Sequence, residues 1–181
     1  MEALLARVAA GECFRYLYFW GHRPRADGAA SAACFSQWYA SAFVIDNLHY
    51  ATAEHWMMAQ KARLFGDDTA LAQVFSKNDP GAAKAAGRTV RGFDEAIWLR
   101  HRFDIVVAGN LAKFSQHPQL RDFLLATGDQ VLVEASPADA VWGIGIAASD
   151  SRAQDPMRWQ GLNLLGFALM AVRDALGENH D

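Results

Sequence analysis

Segments in which apolar residues recur every three or four positions dominate this chain, and they constrain its fold more than any other feature. The longest covers residues 93–116, "FDEAIWLRHRFDIVVAGNLAKFSQ", and predicts a long helix. Shorter helices are predicted over residues 53–65, 69–77, 80–87, 118–127 and 163–176. Because helices outnumber strands and the two are not regularly interleaved, the sequence favours a helix-rich α+β domain over a doubly wound sheet.

Three segments predict strands of a small β-sheet. "FRYLYFWG", residues 14–21, is aromatic and is expected to end at Gly21. "AFVIDNLHYA", residues 42–51, indicates two strands joined at Asp46 and Asn47, residue types that tolerate the positive φ of a tight turn. "QVLVEAS", residues 130–136, is the strongest strand pattern in the second half of the chain.

The overall composition fits one folded domain. The chain has 181 residues, of which 52% are hydrophobic and 20% are charged, so it can bury a sizeable core. Its formal net charge of -3 gives no general attraction to nucleic acid or to an anionic membrane. Any phosphate site must therefore be a local cluster of basic side chains.

The N-terminal segment "MEALLARVAAGECF" lacks the basic region and long apolar core of a secretory signal. It predicts a helical extension over residues 1–15, followed by a domain at residues 16–176.

The most apolar window, "LNLLGFALMAV", is about half the length that crosses a bilayer. Cys13 and Cys34 show no metal-ligand spacing and are expected to be free thiols. We therefore expect a soluble, cytoplasmic protein.

The segment "YATAEHWMMAQKARLFG", residues 50–66, places an acid and a lysine on one side of a predicted helix. Thr52 is the expected N-cap and Gly66 the expected end. Glu54 and Lys61 are seven residues apart, so two helical turns bring them to the same side. That side could line a pocket. Alternatively, Glu54 serves the helix dipole and Lys61 is solvated.

Two acids of the sequence stand close to tryptophans. Glu54 is two residues from Trp56, and Asp139 is three residues from Trp142 in "SPADAVWGIG". An aromatic wall would desolvate such a carboxyl group, raise its pKa and favour proton transfer near neutral pH. Asp139 could instead cap a turn, and Trp98 on its periodic helix could be a core residue.

Sequence motifs for metal or nucleotide chemistry are absent. The chain has no G-x-G-x-x-G, P-loop, G-x-S-x-G or H-E-x-x-H pattern, and its six histidines show no metal-ligand spacing. We therefore expect neither a metal nor another cofactor.

Five sequence blocks occur in order within residues 16–173: "YFWGHRP", "CFSQWYASAFVIDNLHYATAEHWMMAQKA", "GRTVRGFDEAIW", "KFSQHPQLRDFLLATGDQVLVEASPADAVWGIG" and "GLNLLGFALMAVR". Together they strongly resemble the YbiA-like family, also called the NADAR domain family. The resemblance covers most of the chain and rests on several separate blocks. It implies a single α+β domain with N-glycosidase activity and no cofactor.

The resemblance also implies a set of catalytic residues. The family's catalytic trio is a glutamate, a tryptophan and an aspartate, which correspond here to Glu54, Trp98 and Asp139. Lys61 matches a lysine that the family places at the site. Glu54 would act as general base or charge stabiliser with Asp139 as its partner, and the two roles are exchangeable. Lys61 could also form a Schiff base with C1′ of an opened ribosylamine.

Further residues are expected to bind the substrate. An anionic ligand on a weakly acidic protein requires local cations, and Lys61, Arg23 and Arg88 are the candidates for its phosphate. Trp20 and Trp142 could stack on the base or ribose. Gly143, in "WGIG", fits a close ligand approach as well as a tight turn.

The resemblance leaves the ligand open. YbiA-type members hydrolyse the bond between ribose 5-phosphate and the amino-pyrimidine of riboflavin-pathway intermediates, so a phosphorylated ribosylamine is the expected ligand. Other branches remove ADP-ribose from guanine in nucleic acid, although this chain lacks a broad basic stripe. A third possibility is a non-catalytic module that binds an ADP-ribose-type ligand. The Ala-rich insertion at residues 25–34 lies near the expected entrance.

Overall fold

The computed structural model describes residues 1–178 as seven α-helices and four short β-strands. The helices are α1 (Glu2–Ala9), α2 (Ala53–Leu64), α3 (Asp68–Phe75), α4 (Pro80–Arg88), α5 (Glu95–Gln116), α6 (Pro118–Leu125) and α7 (Leu164–Gly177). The strands are β1 (Tyr16–Phe19), β2 (Phe43–Ile45), β3 (Leu48–Tyr50) and β4 (Val131–Glu134). The prediction of a single helix-rich α+β domain is confirmed.

The strands form two separate two-stranded sheets. β2 and β3 are an antiparallel hairpin, and Asp46 and Asn47 at its turn have φ values of 51° and 62°, so the predicted turn is confirmed. β1 and β4 pair in parallel, with Phe19 opposite Glu134. Because parallel strands end at the same edge, the segments that follow β1 and β4 are brought together although they are far apart in the sequence.

The predicted pocket helix, α2, lies in the interior. The Thr52 side chain accepts a hydrogen bond from the backbone N–H of His55, and Gly66 with φ 66° follows the helix end, so both predicted boundaries are confirmed. The helix contacts α3, α4 and α5, and its residues from Ala53 to Ala59 are all buried. A helix buried on most of its sides needs a partner for every polar group that it carries.

The contact between α2 and α5 depends on one glycine. That residue, Gly109, makes a close contact with α2. The indole of Trp56 lies against it, such that a Cβ added at Gly109 would be 2.2 Å from Trp56 Cδ1. The same indole donates a hydrogen bond to the Ile105 carbonyl at 2.7 Å. Trp56 therefore sets the spacing of the two helices.

The N-terminal helix packs on the domain. Leu4 of α1 is buried in a hydrophobic cluster with Val131 and Val133 of β4. The family-like part of the chain and the predicted extension thus share a core. Within residues 1–178, none of the helices is both long and apolar enough to cross a membrane.

The Ala-rich insertion ends in ordered core structure. Residues Ala32–Phe35 form a 3-10 helix in which Cys34 and Phe35 are fully buried. Cys34 and the exposed Cys13 are both free thiols, as the sequence predicted. Residues 25–29 of the segment are exposed, so the insertion is anchored at its C-terminal end.

Candidate active site

A cavity of about 340 Å³ lies between α2, α4, α5 and the loop that follows β4. We call it the helix cavity. Its lining includes the four predicted catalytic residues and two of the predicted binding residues, namely Glu54, Lys61, Trp98, Asp139, Arg88 and Trp142. Its volume is within the range of small-molecule sites.

One face of α2 forms a wall of the helix cavity. Glu54, Met57, Met58 and Lys61 line it, and their spacing of three, four and seven residues is that of a single helix face. Met57 and Met58 belong to the hydrophobic core, and they also separate the acid from the lysine along the cavity wall.

Glu54 is the most deeply buried acid of this cavity. Its side chain belongs to a residue that is 2% exposed, and Oε1 has no hydrogen-bond partner in the described chain. Burial raises the pKa of Glu54 to about 7, against the opposing effects of the Lys84 charge and a hydrogen bond from the Trp38 indole. A carboxyl group with a pKa near neutrality is suited to accept or release a proton.

Trp56, the tryptophan next to Glu54 in the sequence, does not lie beside the Glu54 carboxyl group. Two residues along a helix turn the side chain by about 200°, so Trp56 points to α5 and does not line the helix cavity. Trp38 is the tryptophan whose hydrogen bonding influences Glu54. The Gln37 carbonyl accepts the Glu54 backbone N–H at 2.9 Å, which joins the Trp38 segment to the start of α2.

A buried lysine anchors the segment that carries Trp38. Lys113 of α5 is fully buried, and its Nζ donates to the carbonyls of Cys34 at 2.6 Å and Ser36 at 3.2 Å. Burial lowers the pKa of Lys113 to about 8. The sequence gave no sign of this residue, because its position on a helix does not show which backbone carbonyls it meets.

Four basic side chains line the helix cavity: Lys61, Lys84, Arg88 and Arg102. Within residues 1–178 none of them forms a salt bridge. Lys61 Nζ lies 4.3 Å from the Phe93 ring centroid and 5.7 Å from that of Trp98. Burial, with a smaller contribution from Arg88, lowers the pKa of Lys61. With three acids in the same lining, Glu54, Glu95 and Asp139, the cavity has a small formal excess of positive charge on a chain whose net charge is negative.

Asp139 occupies a tight turn after β4. Its Oδ1 accepts the backbone N–H groups of Val141 at 2.9 Å and Trp142 at 2.8 Å. The turn-capping role that the sequence allowed is therefore present, and it fixes a carboxylate at the edge of the cavity. A Cβ added at Gly143 would lie 2.8 Å from the Glu134 carbonyl and 2.9 Å from that of Asp139. Gly143 permits this turn and does not line the cavity.

A second cavity, of about 390 Å³, adjoins the first. We call it the strand cavity, because residues at or after the ends of β1 and β4 line it, among them Trp20, Glu134, Ser136 and Asp139. Trp38 and Lys84 of α4 complete this part of the lining. Lys84 and Asp139 belong to the linings of both cavities. A ligand could therefore extend from one to the other past these two side chains.

Several site residues were missed by the sequence analysis. Lys84 precedes the predicted Arg88 by four residues on α4, a spacing that places both on one helix face. That spacing could have identified Lys84 as a site residue. Glu134 is an acid at the end of an otherwise apolar strand, which is also a detectable signal. Trp38 is brought to the site by tertiary packing. Arg23, by contrast, is exposed and belongs to the lining of neither cavity.

Across residues 1–178, no group of three or more His, Cys, Asp or Glu side chains is arranged to hold a metal ion. His180, one of the six histidines of the sequence, lies outside the described residues.

The NADAR domain family model matches residues 18–177. The chain is 40% identical over 168 residues to N-glycosidase R617 of Acanthamoeba polyphaga mimivirus, a match that covers 90% of this chain and 97% of that protein. It is 31% identical over 142 residues to N-glycosidase YbiA of Escherichia coli strain K12, covering 78% and 80% of the two chains. The chain belongs to the NADAR family.

The fold agrees with this assignment. The NMR structure of E. coli YbiA superimposes with a TM-score of 0.72 and 27% identity, covering 91% of this chain and 86% of that one. A maize protein, "Riboflavin biosynthesis protein PYRR, chloroplastic", is 33% identical over 140 residues, which are 72% of this chain and 20% of that protein.

Proposed function

We propose that this chain, an N-glycosidase of the NADAR family, hydrolyses the C1′–N bond of phosphorylated ribosylamino-pyrimidine intermediates of riboflavin biosynthesis and releases ribose 5-phosphate. One observation carries the proposal. Within the described residues, the helix cavity joins a buried carboxyl group, Glu54, whose Oε1 has no hydrogen-bond partner, to four basic side chains without salt bridges. This combination suits a ligand with an anionic group at one end and a bond that is cleaved with proton transfer at the other.

The basic side chains would hold the 5-phosphate. Lys61 and Arg88 were predicted for this task, and Lys84 and Arg102 are added to the same lining. Charge-assisted hydrogen bonds to a phosphate are about twice as strong as those between neutral groups. Arg23, which the sequence also suggested, has no part in this proposal, because it lies at neither cavity.

The carboxyl groups would assist bond cleavage. A C1′–N bond breaks through an oxocarbenium-like state with positive charge on the ribose. Glu54, in its ionised form, is placed to activate the attacking water or to stabilise that charge, and Asp139 would contribute a fixed negative charge from its turn. Trp98, held beside Lys61, would pack against the sugar or base.

The choice of substrate rests on relatives. Two of the matched proteins are named N-glycosidases, and the maize protein that shares this segment is named for riboflavin biosynthesis. These names support a riboflavin intermediate over an ADP-ribosylated base. The shortage of basic surface expected from the net charge of -3 also disfavours a nucleic-acid substrate.

A mass-spectrometric activity screen tests the proposal. Wild type is incubated with the amino-pyrimidine ribosylamine phosphates and, separately, with an ADP-ribosylated oligonucleotide, each with and without a chelator. We expect release of ribose 5-phosphate from the first set and no need for added metal. Glu54→Gln should lower kcat by about 10²–10⁴-fold while remaining folded, the usual effect of losing a general acid or base.

The exposed Glu2→Gln in α1 is the matched control and should keep full activity. Turnover of the oligonucleotide alone would contradict the proposed substrate. Tight binding of ADP-ribose without any turnover would support a binding module instead. Full activity in a folded Glu54→Gln variant would contradict the role of Glu54.

A further inference from the structure

The strand cavity contains an acid to which neither the sequence nor the proposed function assigns a role. Glu134 is the last residue of β4, and its backbone is held from three directions. Its N–H donates to Oδ1 of the buried Asn163 at 3.0 Å, and its carbonyl accepts the N–H of Ile144 at 2.9 Å. The parallel pairing with β1 places it opposite Phe19. A side chain on so firmly held a backbone has a well-defined position.

The carboxyl group of Glu134 has an unsatisfied atom. Oε2 is buried without a hydrogen-bond partner in the described chain, while the residue lines the strand cavity. Burying a polar atom without a hydrogen-bond partner costs free energy. Such an atom in a cavity wall is therefore typical of a group that binds a ligand. Glu54 Oε1, across the shared Lys84 and Asp139, is in the same state.

Charged groups on every side influence Glu134. The pKa of Glu134 is raised to about 8, chiefly by burial; the negative charges of Asp139 and Glu54 contribute to this rise, and Lys84 of α4 opposes it. His22, which follows β1, also lines the cavity. At neutral pH the carboxyl group is therefore protonated and can donate a hydrogen bond or a proton.

The lining of the strand cavity fits the leaving group of the reaction. Trp20 is 66% exposed and lines the cavity with Trp38 and His22, whose rings contact each other at a centroid distance of 5.6 Å. The exposed indole of Trp20 is therefore available to a planar heterocycle. The helix cavity, with its four cations, would take the ribose phosphate. The scissile bond would then lie near Lys84 and Asp139, which the two cavities share.

From this geometry we propose that Glu134 is the general acid of the site, an inference that rests on the proposed N-glycosidase function. As the C1′–N bond breaks, its electron pair goes to the leaving nitrogen, which takes the proton of the Glu134 carboxyl group. Water forms the new C1′–O bond and gives its proton to ionised Glu54. The products are the sugar with a C1′ hydroxyl and the free amine, and proton exchange with solvent restores both acids.

This assignment separates the roles of the three acids. Asp139 accepts two backbone N–H groups on Oδ1 and serves as a fixed negative charge beside the oxocarbenium-like ribose. Glu54 is on the side of the basic residues, and Glu134 on the side of the aromatic ones. Two carboxyl groups on opposite sides of a glycosidic bond are the usual arrangement for acid and base.

A contrast of leaving groups tests the inference. Glu134→Gln is compared with wild type on an amino-pyrimidine ribosylamine phosphate and on 4-nitrophenyl riboside 5-phosphate, whose leaving group needs no proton. We expect kcat/KM to fall about 10²–10⁴-fold on the first and less than about tenfold on the second. The wild-type pH profile should fall on its alkaline side near the pKa of Glu134, about 8, and the variant should lose that fall.

A second variant adds a rescue experiment, and a direct titration keeps the test independent of the substrate. In Glu134→Ala, added imidazolium should restore part of the lost activity, because it carries a proton near neutral pH and can occupy the vacated space. Infrared difference spectra between wild type and Glu134→Gln should show a protonated carboxyl band at neutral pH that disappears at high pH. The exposed Glu2→Gln is the control for all three measurements.

The outcomes distinguish the two proposals. Equal losses on both substrates, no loss on either, or a carboxyl group already ionised at neutral pH would each overturn the role of Glu134. If wild type cleaves the nitrophenyl riboside and ADP-ribosylated guanosine but not the amino-pyrimidine compounds, the substrate of the proposed function fails. The leaving-group contrast is then measured with the guanosine compound. A larger loss on that compound than on the nitrophenyl riboside would support the role of Glu134, and equal losses would overturn it.

Discussion

At the scale of single residues, Glu54 combines the two roles that the sequence left as alternatives. It lies in the first turn of α2, where its charge would favour the helix dipole, and it lines the helix cavity. The burial that makes it chemically useful is also costly, because an ionised carboxyl group loses its hydration. A protein that keeps such a group gives up stability for function.

The cost of burying Glu54 predicts a pH dependence of stability. Its pKa is about 7 in the folded protein against an ordinary value of 4.5, so between these pH values the folded state binds more protons than the unfolded state. Stability therefore falls as pH rises through this window. Glu54→Gln should remove part of the fall, and its advantage over wild type should grow by roughly 1–3 kcal/mol between about pH 5 and about pH 8.

Urea unfolding of both proteins at the two pH values measures this change. The exposed Glu2→Gln should follow the wild-type curve. Parallel curves for wild type and Glu54→Gln would show that the carboxyl group ionises normally in the folded protein.

At the scale of secondary-structure elements, the position of α2 against α5 decides where its functional face points. Trp56 is pressed onto Gly109 and bonded to the Ile105 carbonyl, so the opposite face, with Glu54 and Lys61, is directed towards α4 and the loop after β4. A change at this contact should be transmitted to the cavity, although the contact itself lies outside it.

Gly109→Ala should therefore damage both stability and activity. The added Cβ would be 2.2 Å from Trp56 Cδ1, and forced overpacking of a core typically costs about 1–3 kcal/mol. Gly177→Ala is the matched control, because it is also a helical glycine but its added Cβ meets nothing within 4 Å. That control should be neutral or slightly stabilising.

Thermal unfolding and kcat of the two variants provide the comparison. Gly109→Ala could instead unfold at the same temperature as Gly177→Ala and keep its activity. The Trp56 indole would then be able to shift without moving α2, and our claim that this contact influences the site would be wrong.

At the scale of the whole molecule, charge is unevenly distributed. The chain carries 20 acidic and 17 basic residues, yet four basic side chains without salt bridges line one cavity. The four cations exceed the three acids of the same lining, Glu54, Glu95 and Asp139, and the like charges repel each other. Binding of an anion should relieve this repulsion and stabilise the folded protein by mass action.

Ribose 5-phosphate should raise the Tm of wild type in a concentration-dependent manner, and high salt should weaken the effect by screening. Arg88→Ala should reduce the increase. Arg100→Ala, an exposed arginine of α5 that does not line the helix cavity, is the control. An equal increase in Tm for wild type and Arg88→Ala would mean that the phosphate binds elsewhere. Separate measurements with inorganic phosphate and with ribose identify which part of the ligand is recognised.

The elements of the fold were largely predictable from local sequence. Thr52 as N-cap, the Asp46–Asn47 turn and the long helix after residue 93 each depend on nearest neighbours along the chain, and the structure has all three. The pairing of β1 with β4 was not predictable, because it joins strands more than a hundred residues apart. Local patterns carry no information about which distant strand becomes a neighbour.

The sequence by itself determined the helices, their capping residues and the shared face of Glu54 and Lys61, because helical geometry is set by local spacing. It also showed the family through the order of its motif blocks. The tertiary structure alone decided that Trp38 and not Trp56 adjoins Glu54, that Lys84 and Asp139 connect two cavities, and that Glu134 reaches the second one. These relations depend on long-range packing, which brings the ends of β1 and β4 to one edge beside α2 and α4.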